Sequence, residues 1–182
     1  MKFFAYYFSI LSKKIKDVDL NILNQVAEMI VSTNRNGGKT LIVGNGGSAA
    51  TASHVSVDLT KNANIRAVNF NEADLLTCFS NDYGYERWVE KAIEFYADSG
   101  DLAILISSSG TSKNIINGGL KAKNMGLKVI TFSGFSADNP LRQLGDINFW
   151  VDSKAYNIIE MIHSIWLLAI VDQIIGSMEY SA

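Results

Sequence analysis

The sequence contains few of the residues on which disulfide scaffolds and thiolate metal clusters depend. Of its 182 residues only one is a cysteine, Cys78, and only two are histidines, His54 and His163. A single cysteine excludes both an internal disulfide framework and a thiolate cluster within the chain, and it fits a reducing cytoplasm. We therefore expect a cytoplasmic protein in which Cys78 is a small buried apolar residue.

Basic clusters and linkers are also absent from the sequence. The 16 lysines and arginines are scattered and the formal net charge is −2, so the chain has no electrostatic footprint for nucleic acid. No low-complexity tract divides the chain, and hydrophobic residues make up 48% of it, which is enough for one compact core. We expect a single domain over residues 1–182 that binds a small molecule and no nucleic acid.

The N-terminus is rich in apolar and aromatic residues, yet it predicts neither a signal peptide nor a membrane span. The apolar stretch is too short to cross a bilayer, and the basic segment 13–17 follows where a small-residue cleavage site would stand. Large apolar residues recur at helical spacing: Phe4, Tyr7, Phe8, Leu11 and Ile15. We predict a helical extension over residues 1–35 that packs on the body of the protein and on partner subunits, without membrane contact.

Beyond this extension, short apolar runs alternate with helical patterns. The second helix is predicted from about Leu20 to Thr33, with Asp19 as a candidate cap. The predicted strands are Thr40–Val43, Ala67–Phe70, Leu102–Ile106, Lys128–Phe132 and Ile147–Val151. The later predicted helices are Gly47–Thr60, Tyr85–Ala97, Ser112–Met125 and Tyr156–Ile175, with a short helical turn at Asp74–Cys78. This order predicts an α/β fold in which helices flank a five-stranded, mainly parallel sheet, with ligands bound beyond the carboxyl ends of the strands.

Six small polar residues stand where the third strand meets its helix: Ser107-Ser108-Ser109-Gly110-Thr111-Ser112. Unpaired N–H groups and the helix dipole hold an anion at such a helix start, and hydroxyl groups donate further hydrogen bonds. Capping alone takes one or two side chains. We therefore predict that this serine loop, residues 107–112, is a phosphate cradle.

A glycine loop, Gly44-Asn45-Gly46-Gly47-Ser48-Ala49, follows the first strand. Its glycines indicate that the backbone closely approaches another group there. The loop formally satisfies the dinucleotide fingerprint, with Glu72 as a candidate ribose-binding acid. We rank a dinucleotide second because the fingerprint does not explain the serine loop and the chain has no room for a separate catalytic domain. No nucleotide cofactor is expected.

Each histidine lies in a predicted helix with an acid one turn away. His54 and Asp58 share one helix face, so they can form a general acid–base pair or bind a divalent metal rather than a mere surface ion pair. Glu160 and His163 interrupt an otherwise apolar helix. Either these two residues join the first pair in one site, where the four side chains would also suit zinc, or they form a buried hydrogen-bonded pair between helices.

These segments, together with Asn81-Asp82-Tyr83-Gly84-Tyr85, resemble the sugar isomerase (SIS) family, and within it the phosphoheptose isomerases, over nearly the whole chain. The resemblance implies a homotetramer, with sites between subunits, that interconverts sedoheptulose 7-phosphate and D-glycero-D-manno-heptose 7-phosphate through an enediol. It implies that the serine loop holds the phosphate, whereas Asp82 and the glycine loop contact the sugar. The candidate binding residues are Asn45, Gly46, Gly47, Ser48, Asp82, Ser107, Ser108, Ser109 and Ser112.

The chain departs from the family pattern at two places. Asp58 replaces a glutamate, so its carboxylate reaches one methylene less far. In the last helix, a leucine occupies the position of the family's catalytic histidine. This leucine is Leu168 if Glu160 aligns with the family's glutamine, and Leu167 if Glu160 aligns with the glutamate that follows it. We expect His163, oriented by Glu160, to act opposite His54 or Asp58. The alternative is a non-catalytic SIS protein that binds a phosphosugar or acts as a regulator or scaffold, of the type that binds a replication initiator. Burial of His163 apart from His54 would favour this alternative.

Overall fold

The computed structural model of the chain describes residues 2–180, which form seven α-helices and five β-strands. The strands are β1 (Thr40–Gly44), β2 (Ala67–Asn69), β3 (Leu102–Ser107), β4 (Lys128–Ser133) and β5 (Ile147–Trp150). The helices are α1 (Lys2–Ile15), α2 (Leu20–Arg35), α3 (Gly47–Lys61), α4 (Ala73–Tyr83), α5 (Trp88–Tyr96), α6 (Lys113–Asn124) and α7 (Tyr156–Ile175). The predicted order of elements is confirmed, and so is Asp19 as the cap of α2, since its carboxylate accepts from the Asn21 amide.

All five strands are parallel and lie in the order β2-β1-β3-β4-β5. The chain moves from β1 to β2 at one edge and then returns to place β3 on the other side of β1. This reversal makes the β1–β3 boundary the topological switch point, where open α/β sheets bind ligands. Gly44, at the end of β1, is in register with Ile106 of β3. The glycine loop and the serine loop therefore start side by side.

The sheet separates two apolar cores, because successive residues of a strand point to opposite faces. Ile42 packs in the core covered by α1, α2, α3 and α7, whereas its neighbours Leu41 and Val43 pack in the core covered by α4, α5 and α6. β1 and β3 are buried along their whole length. The glycine loop and the serine loop are thus attached to two fully buried strands.

Helix α7 is long and apolar enough to cross a membrane by length and composition alone. Burial inside the domain also explains the apolar composition of this helix, because eight of its residues are buried there, among them Ile159, Trp166 and Leu167. The indole of Trp166 also donates a hydrogen bond to the carbonyl oxygen of Ile15 at 2.9 Å. Helix α7 is therefore a core helix to which α1 is attached.

Two predictions around α4 are wrong. The expected short turn is an 11-residue helix, because the Glu72 carboxylate caps its start through the amides of Asp74 and Leu75, and Gly84, with φ of 86°, ends it. Glu72 is thus occupied as a helix cap. Cys78 is exposed rather than buried, since it lies on the outer face of this helix with its thiol directed at Asp82.

Helix α1 is only half covered. Tyr7, Leu11 and Ile15 pack against the core, whereas the side chains of Phe4 and Phe8 are 66% and 58% exposed. The aromatic helix therefore has one face on the body of the protein and one face open. The predicted packing of residues 1–35 on partner subunits remains a prediction.

Candidate active site

The glycine loop turns tightly from β1 into α3. A methyl group on Gly44 would lie 2.6 Å from the backbone carbonyl carbon of Ser48, so only glycine fits at this position. Gly46 adopts a φ of 55°, which side-chain-bearing residues rarely adopt. Gly46 is also the cap residue of α3 and, as a glycine, has no side chain that could accept a hydrogen bond from the first amides of the helix. The loop brings backbone amides to the sheet edge with no hydroxyl or carboxylate from the cap residue in front of them.

Asn45 ties the glycine loop to the helix that follows the serine loop. Its amide exchanges two hydrogen bonds of 2.9 Å with the amide of Asn114 in the first turn of α6. The hydroxyl of Tyr85 donates a third bond, of 3.2 Å, to Asn45 Oδ1. The structure therefore places Asn45 at the site, where its side chain fixes the distance between the two loops.

Hydrogen bonds within the serine loop hold its shape. Ser107 Oγ donates to Ser112 Oγ at 3.0 Å, and Ser109 Oγ accepts from the backbone amide and the hydroxyl of Thr111. Ser112 is the cap residue of α6, but its side chain makes no cap bond to the helix. The amides at the start of α6 therefore remain available to an anion, as the predicted phosphate cradle requires.

Glu160, near the start of α7, reaches both loops. Its Oε1 accepts a 3.4 Å hydrogen bond from Ser108 Oγ. Its carboxylate also lies so close to the first residue of α3 that a methyl group on Gly47 would be 2.2 Å from Oε2. Gly47 and Ser108 are thus brought together around one carboxylate.

His54 and Asp58 form the predicted pair. His54 Nε2 lies 3.2 Å from Asp58 Oδ2, and the imidazole is 59% exposed whereas the carboxylate is only 17% exposed. Asn62 donates a hydrogen bond of 3.1 Å to Asp58 Oδ1. The helical spacing puts Gly47, His54 and Asp58 on one face of α3, so the pair lies about two turns along α3 from the contact with Glu160.

The predicted orientation of His163 by Glu160 is wrong. His163 is fully buried, its Nε2 lies 3.0 Å from the Ser133 carbonyl oxygen, and its ring packs edge-on against Phe132. Burial lowers the pKa of this imidazole to about 4, a shift that the hydrogen bond to Ser133 only partly opposes. His163 is therefore a neutral core histidine facing the sheet, and Glu160 turns away from it towards the loops.

The donors predicted for zinc do not gather in one chain. Among residues 2–180, no three histidine, cysteine, aspartate or glutamate side chains are grouped so that they would hold a metal ion. His54 and Asp58 offer two donors, whereas the Nε2 of His163 is occupied by a backbone carbonyl. Zinc at these four residues thus does not fit a single chain.

Asp82 lies in the last turn of α4, where Asn81 donates a 2.9 Å hydrogen bond to its Oδ1. The segment that follows Asp82 is linked to the start of α6 by two contacts of Glu86. Lys113 pairs with Glu86 Oε1 at 2.9 Å, and the Asn117 amide donates to the Glu86 carbonyl oxygen. Asp82 is thereby attached to a segment that contacts Asn45 through Tyr85. Its predicted contact with a sugar remains a prediction.

Comparison with known proteins connects this site to one family. Residues 2–134 match the SIS domain. The chain belongs to the SIS domain family. It is 36% identical over 147 residues to a phosphoheptose isomerase of Aliarcobacter butzleri, an alignment that covers 78% of this chain and 77% of that protein. It is 31% identical over 159 residues to a probable phosphoheptose isomerase of Thermoplasma volcanium, covering 84% and 80% of the two chains.

Solved structures of SIS relatives have the same fold. A phosphoheptose isomerase from Neisseria gonorrhoeae superposes with a TM-score of 0.85 at 27% identity, covering 93% of this chain and 96% of that one. One from Francisella tularensis superposes with a TM-score of 0.86 at 25% identity, covering 97% of each chain. The predictions of a SIS fold and of a chain that resembles the phosphoheptose isomerases are therefore confirmed.

Three polar residues of this SIS site escaped sequence reasoning. Asn62 supports Asp58, Asn114 pairs with Asn45, and Tyr85 donates to Asn45. Asn62 was detectable, because it continues the four-residue spacing of His54 and Asp58. Asn114 and Tyr85 meet Asn45 only through the tertiary fold. No local spacing indicates Asn114, whereas Tyr85 stands in the segment 81–85 that carries the family resemblance but received no role of its own.

Proposed function

We propose that this chain is a phosphosugar aldose–ketose isomerase that interconverts sedoheptulose 7-phosphate and D-glycero-D-manno-heptose 7-phosphate through an enediol. One observation carries the proposal: the serine loop and the glycine loop, linked through Asn45 and Asn114, lie at the switch point of the sheet, and an imidazole–carboxylate pair lies further along the helix that the glycine loop begins. The names of the relatives at 31–36% identity support the heptose phosphate as substrate.

In this proposal the serine loop binds the phosphate through the hydroxyls of Ser107, Ser108, Ser109 and Ser112 and through the free amides at the start of α6. Helix dipole and amide donors together favour an anion at this position. The glycine loop, residues 44–49, then contacts the sugar hydroxyls with Asn45 and Ser48, and Asp82 contacts them from α4. This assignment follows the resemblance residue by residue and agrees with the loops' side-by-side position.

His54 is the proposed general base. When Asp58 accepts the Nε2 proton, Nδ1 carries the free lone pair and can take a proton from the substrate. Asp58 is held by Asn62 and thereby fixes this tautomer. The base removes the proton from the carbon beside the carbonyl, the electron pair forms the C=C bond of the enediol, and the carbonyl oxygen takes up a proton. The base then returns its proton to the former carbonyl carbon while the neighbouring hydroxyl releases its proton and becomes the new carbonyl.

The proposal retains the homotetramer with sites between subunits and a cytoplasmic location. His54 is more than half exposed, and the nearby helix α7 leaves Met161 and Ile165 exposed at 48% and 39%. A second subunit at this face would exclude water from the base and supply further groups. If zinc takes part, it needs donors beyond those that one chain brings together.

A non-catalytic phosphosugar-binding protein of the SIS family is the second candidate function. The burial of His163 favours it, because this residue cannot replace the histidine that the resemblance leads us to expect at Leu167 or Leu168. Leu167 is buried in the core and Leu168 packs against it, so neither position carries a proton donor. This candidate shares the loops of the isomerase and differs from it in the proton transfer.

Proton–deuterium exchange distinguishes the two candidates. NMR on sedoheptulose 7-phosphate in D₂O is expected to show deuterium entering beside the carbonyl with the wild type. Because a positioned base contributes about 10²- to 10⁴-fold, His54→Ala should slow this exchange by that factor. Parallel samples with added zinc or with a chelator test the metal dependence.

Lys61→Ala is the matched control, since Lys61 is an exposed residue of the same helix. It should exchange deuterium at the wild-type rate. Phosphate-dependent thermal stabilisation without exchange would contradict the isomerase and support the binding protein. Equal exchange rates for His54→Ala and the wild type would remove His54 as the base.

A further inference from the structure

The two loops of the site differ in the charges beside them. At the glycine loop, the carboxylate of Glu160 lies against Gly47, the first residue of α3. At the serine loop, the first residue of α6 is Lys113, which pairs with Glu86 at the surface. The start of α3 thus has a carboxylate beside it, whereas the start of α6 has an ion pair without net charge.

The position of Glu160 is determined by packing as well as by charge. Helix α7 packs against α3, and the absence of a side chain at Gly47 leaves the space that the carboxylate fills. The hydroxyl of Ser108 holds Oε1 from the other side at 3.4 Å. The carboxylate therefore stands between the two loops, beside the helix start that would otherwise attract an anion.

We propose that Glu160 is a specificity-determining residue that keeps a second anionic group of the ligand out of the glycine loop and so selects sugar monophosphates over bisphosphates. The inference rests on the proposed function, because it takes the serine loop as the phosphate site. A second phosphate placed at the glycine loop would lie within a few ångströms of the carboxylate, and like charges at such distances disfavour one another strongly. A neutral sugar hydroxyl meets no such repulsion and can donate to the carboxylate.

Binding of two sugars that differ by one phosphate group tests the proposal. Isothermal titration with sedoheptulose 7-phosphate and sedoheptulose 1,7-bisphosphate gives the ratio of their dissociation constants for each variant. The wild type should prefer the monophosphate. Glu160→Gln keeps the shape and removes the charge, so this preference should fall by about tenfold or more, mainly through tighter binding of the bisphosphate.

Asp172→Asn is the matched control, because it makes the same change in net charge on the same helix, three turns further on. It should leave the ratio at the wild-type value. A ratio unchanged in Glu160→Gln, with normal monophosphate binding, would overturn this inference and leave the proposed function standing. Absence of monophosphate binding in both wild type and Glu160→Gln would overturn both proposals. An equal fall in Asp172→Asn would show a general charge effect and would also overturn the inference.

Discussion

His163 is fully buried between α7 and the sheet, and burial lowers its pKa to about 4. In the unfolded chain the imidazole has an ordinary pKa of about 6.5, so between these values the unfolded state binds a proton that the native state does not. The native state is therefore penalised as the pH falls from about 6.5 towards 4. Above that window His163 is neutral in both states and contributes no pH dependence.

We predict that the wild type loses about 2 kcal/mol of stability from this residue between pH 7 and pH 5. His163→Gln removes the titrating group and should flatten this part of the pH profile, even though the variant is less stable at pH 7. Urea unfolding at several pH values measures the slope. His54→Ala is the control and should keep the steep loss, since His163 is still present. A slope that survives in His163→Gln would show that other groups cause it.

The side chains of Glu160 and His163 show what residue spacing alone cannot predict. Their spacing of three residues correctly indicated two polar groups on neighbouring parts of one helix. Three residues turn a helix by 300°, so the two side chains diverge by about 60°. One reaches the ligand loops and the other the sheet. The spacing alone cannot tell convergence from divergence, because the neighbouring elements decide which of them has a partner.

At the scale of elements, the contact between α5 and α6 depends on a close approach of their backbones. A methyl group on Gly118 of α6 would lie 2.4 Å from Val89 Cγ1 of α5. We predict that Gly118→Ala destabilises the protein by about 1–3 kcal/mol because it overpacks this contact. The same substitution in a Val89→Ala background should cost clearly less, since Cγ1 is gone and the nearest remaining atom, the Cβ at position 89, is 3.2 Å away. Chemical unfolding of the four variants gives the coupling.

Gly119→Ala is the matched control for this contact. Its methyl group would meet Leu105 Cδ1 at 3.0 Å and no atom of Val89. The cost of Gly119→Ala should therefore be the same with and without Val89→Ala. If Gly118→Ala costs as much in the Val89→Ala background as in the wild type, the close approach of α5 and α6 does not limit this position.

The sequence pattern predicted most elements because apolar periodicity reports burial directly. The buried strands β1 and β3 have the predicted starts, and each extends one residue further than predicted. Helix α4 was underestimated, because its length depends on a carboxylate cap at Glu72 and a left-handed glycine at Gly84 rather than on apolar spacing. Helix ends that are set by local hydrogen bonds thus cannot be predicted from the spacing of hydrophobic residues.

At the scale of the whole molecule, the site was predictable because topology brings distant segments to one edge. The alternation of strands and helices was sufficient to place the glycine loop and the serine loop at the carboxyl edge of the sheet, and the strand order then makes them neighbours on β1 and β3. The direct contact of Glu160 with both loops was not predictable, because it depends on how α7 packs against α3. A single chain also leaves the site open on the side of His54.

The open side and the aromatic helix lead to a prediction about assembly. The exposed rings of Phe3, Phe4 and Phe8 on α1 are joined by ring contacts through Tyr7 into an apolar surface of the kind that marks protein contacts. We predict that the wild type sediments as a tetramer and that Phe4→Lys/Phe8→Lys dissociates it, because lysine ammonium groups are costly to bury in an apolar interface. Analytical ultracentrifugation measures the mass, and circular dichroism checks that the fold is retained.

Leu120→Lys is the matched control, since Leu120 is a large apolar residue, 46% exposed, on a different helix. It should sediment like the wild type.

If the active sites lie between subunits, dissociation by Phe4→Lys/Phe8→Lys should also abolish deuterium exchange, although neither residue belongs to the loops or to the His54–Asp58 pair. Full exchange activity in a folded, dissociated variant would show instead that one chain holds a complete site, and the exposure of His54 would then be the substrate's entrance rather than a subunit contact.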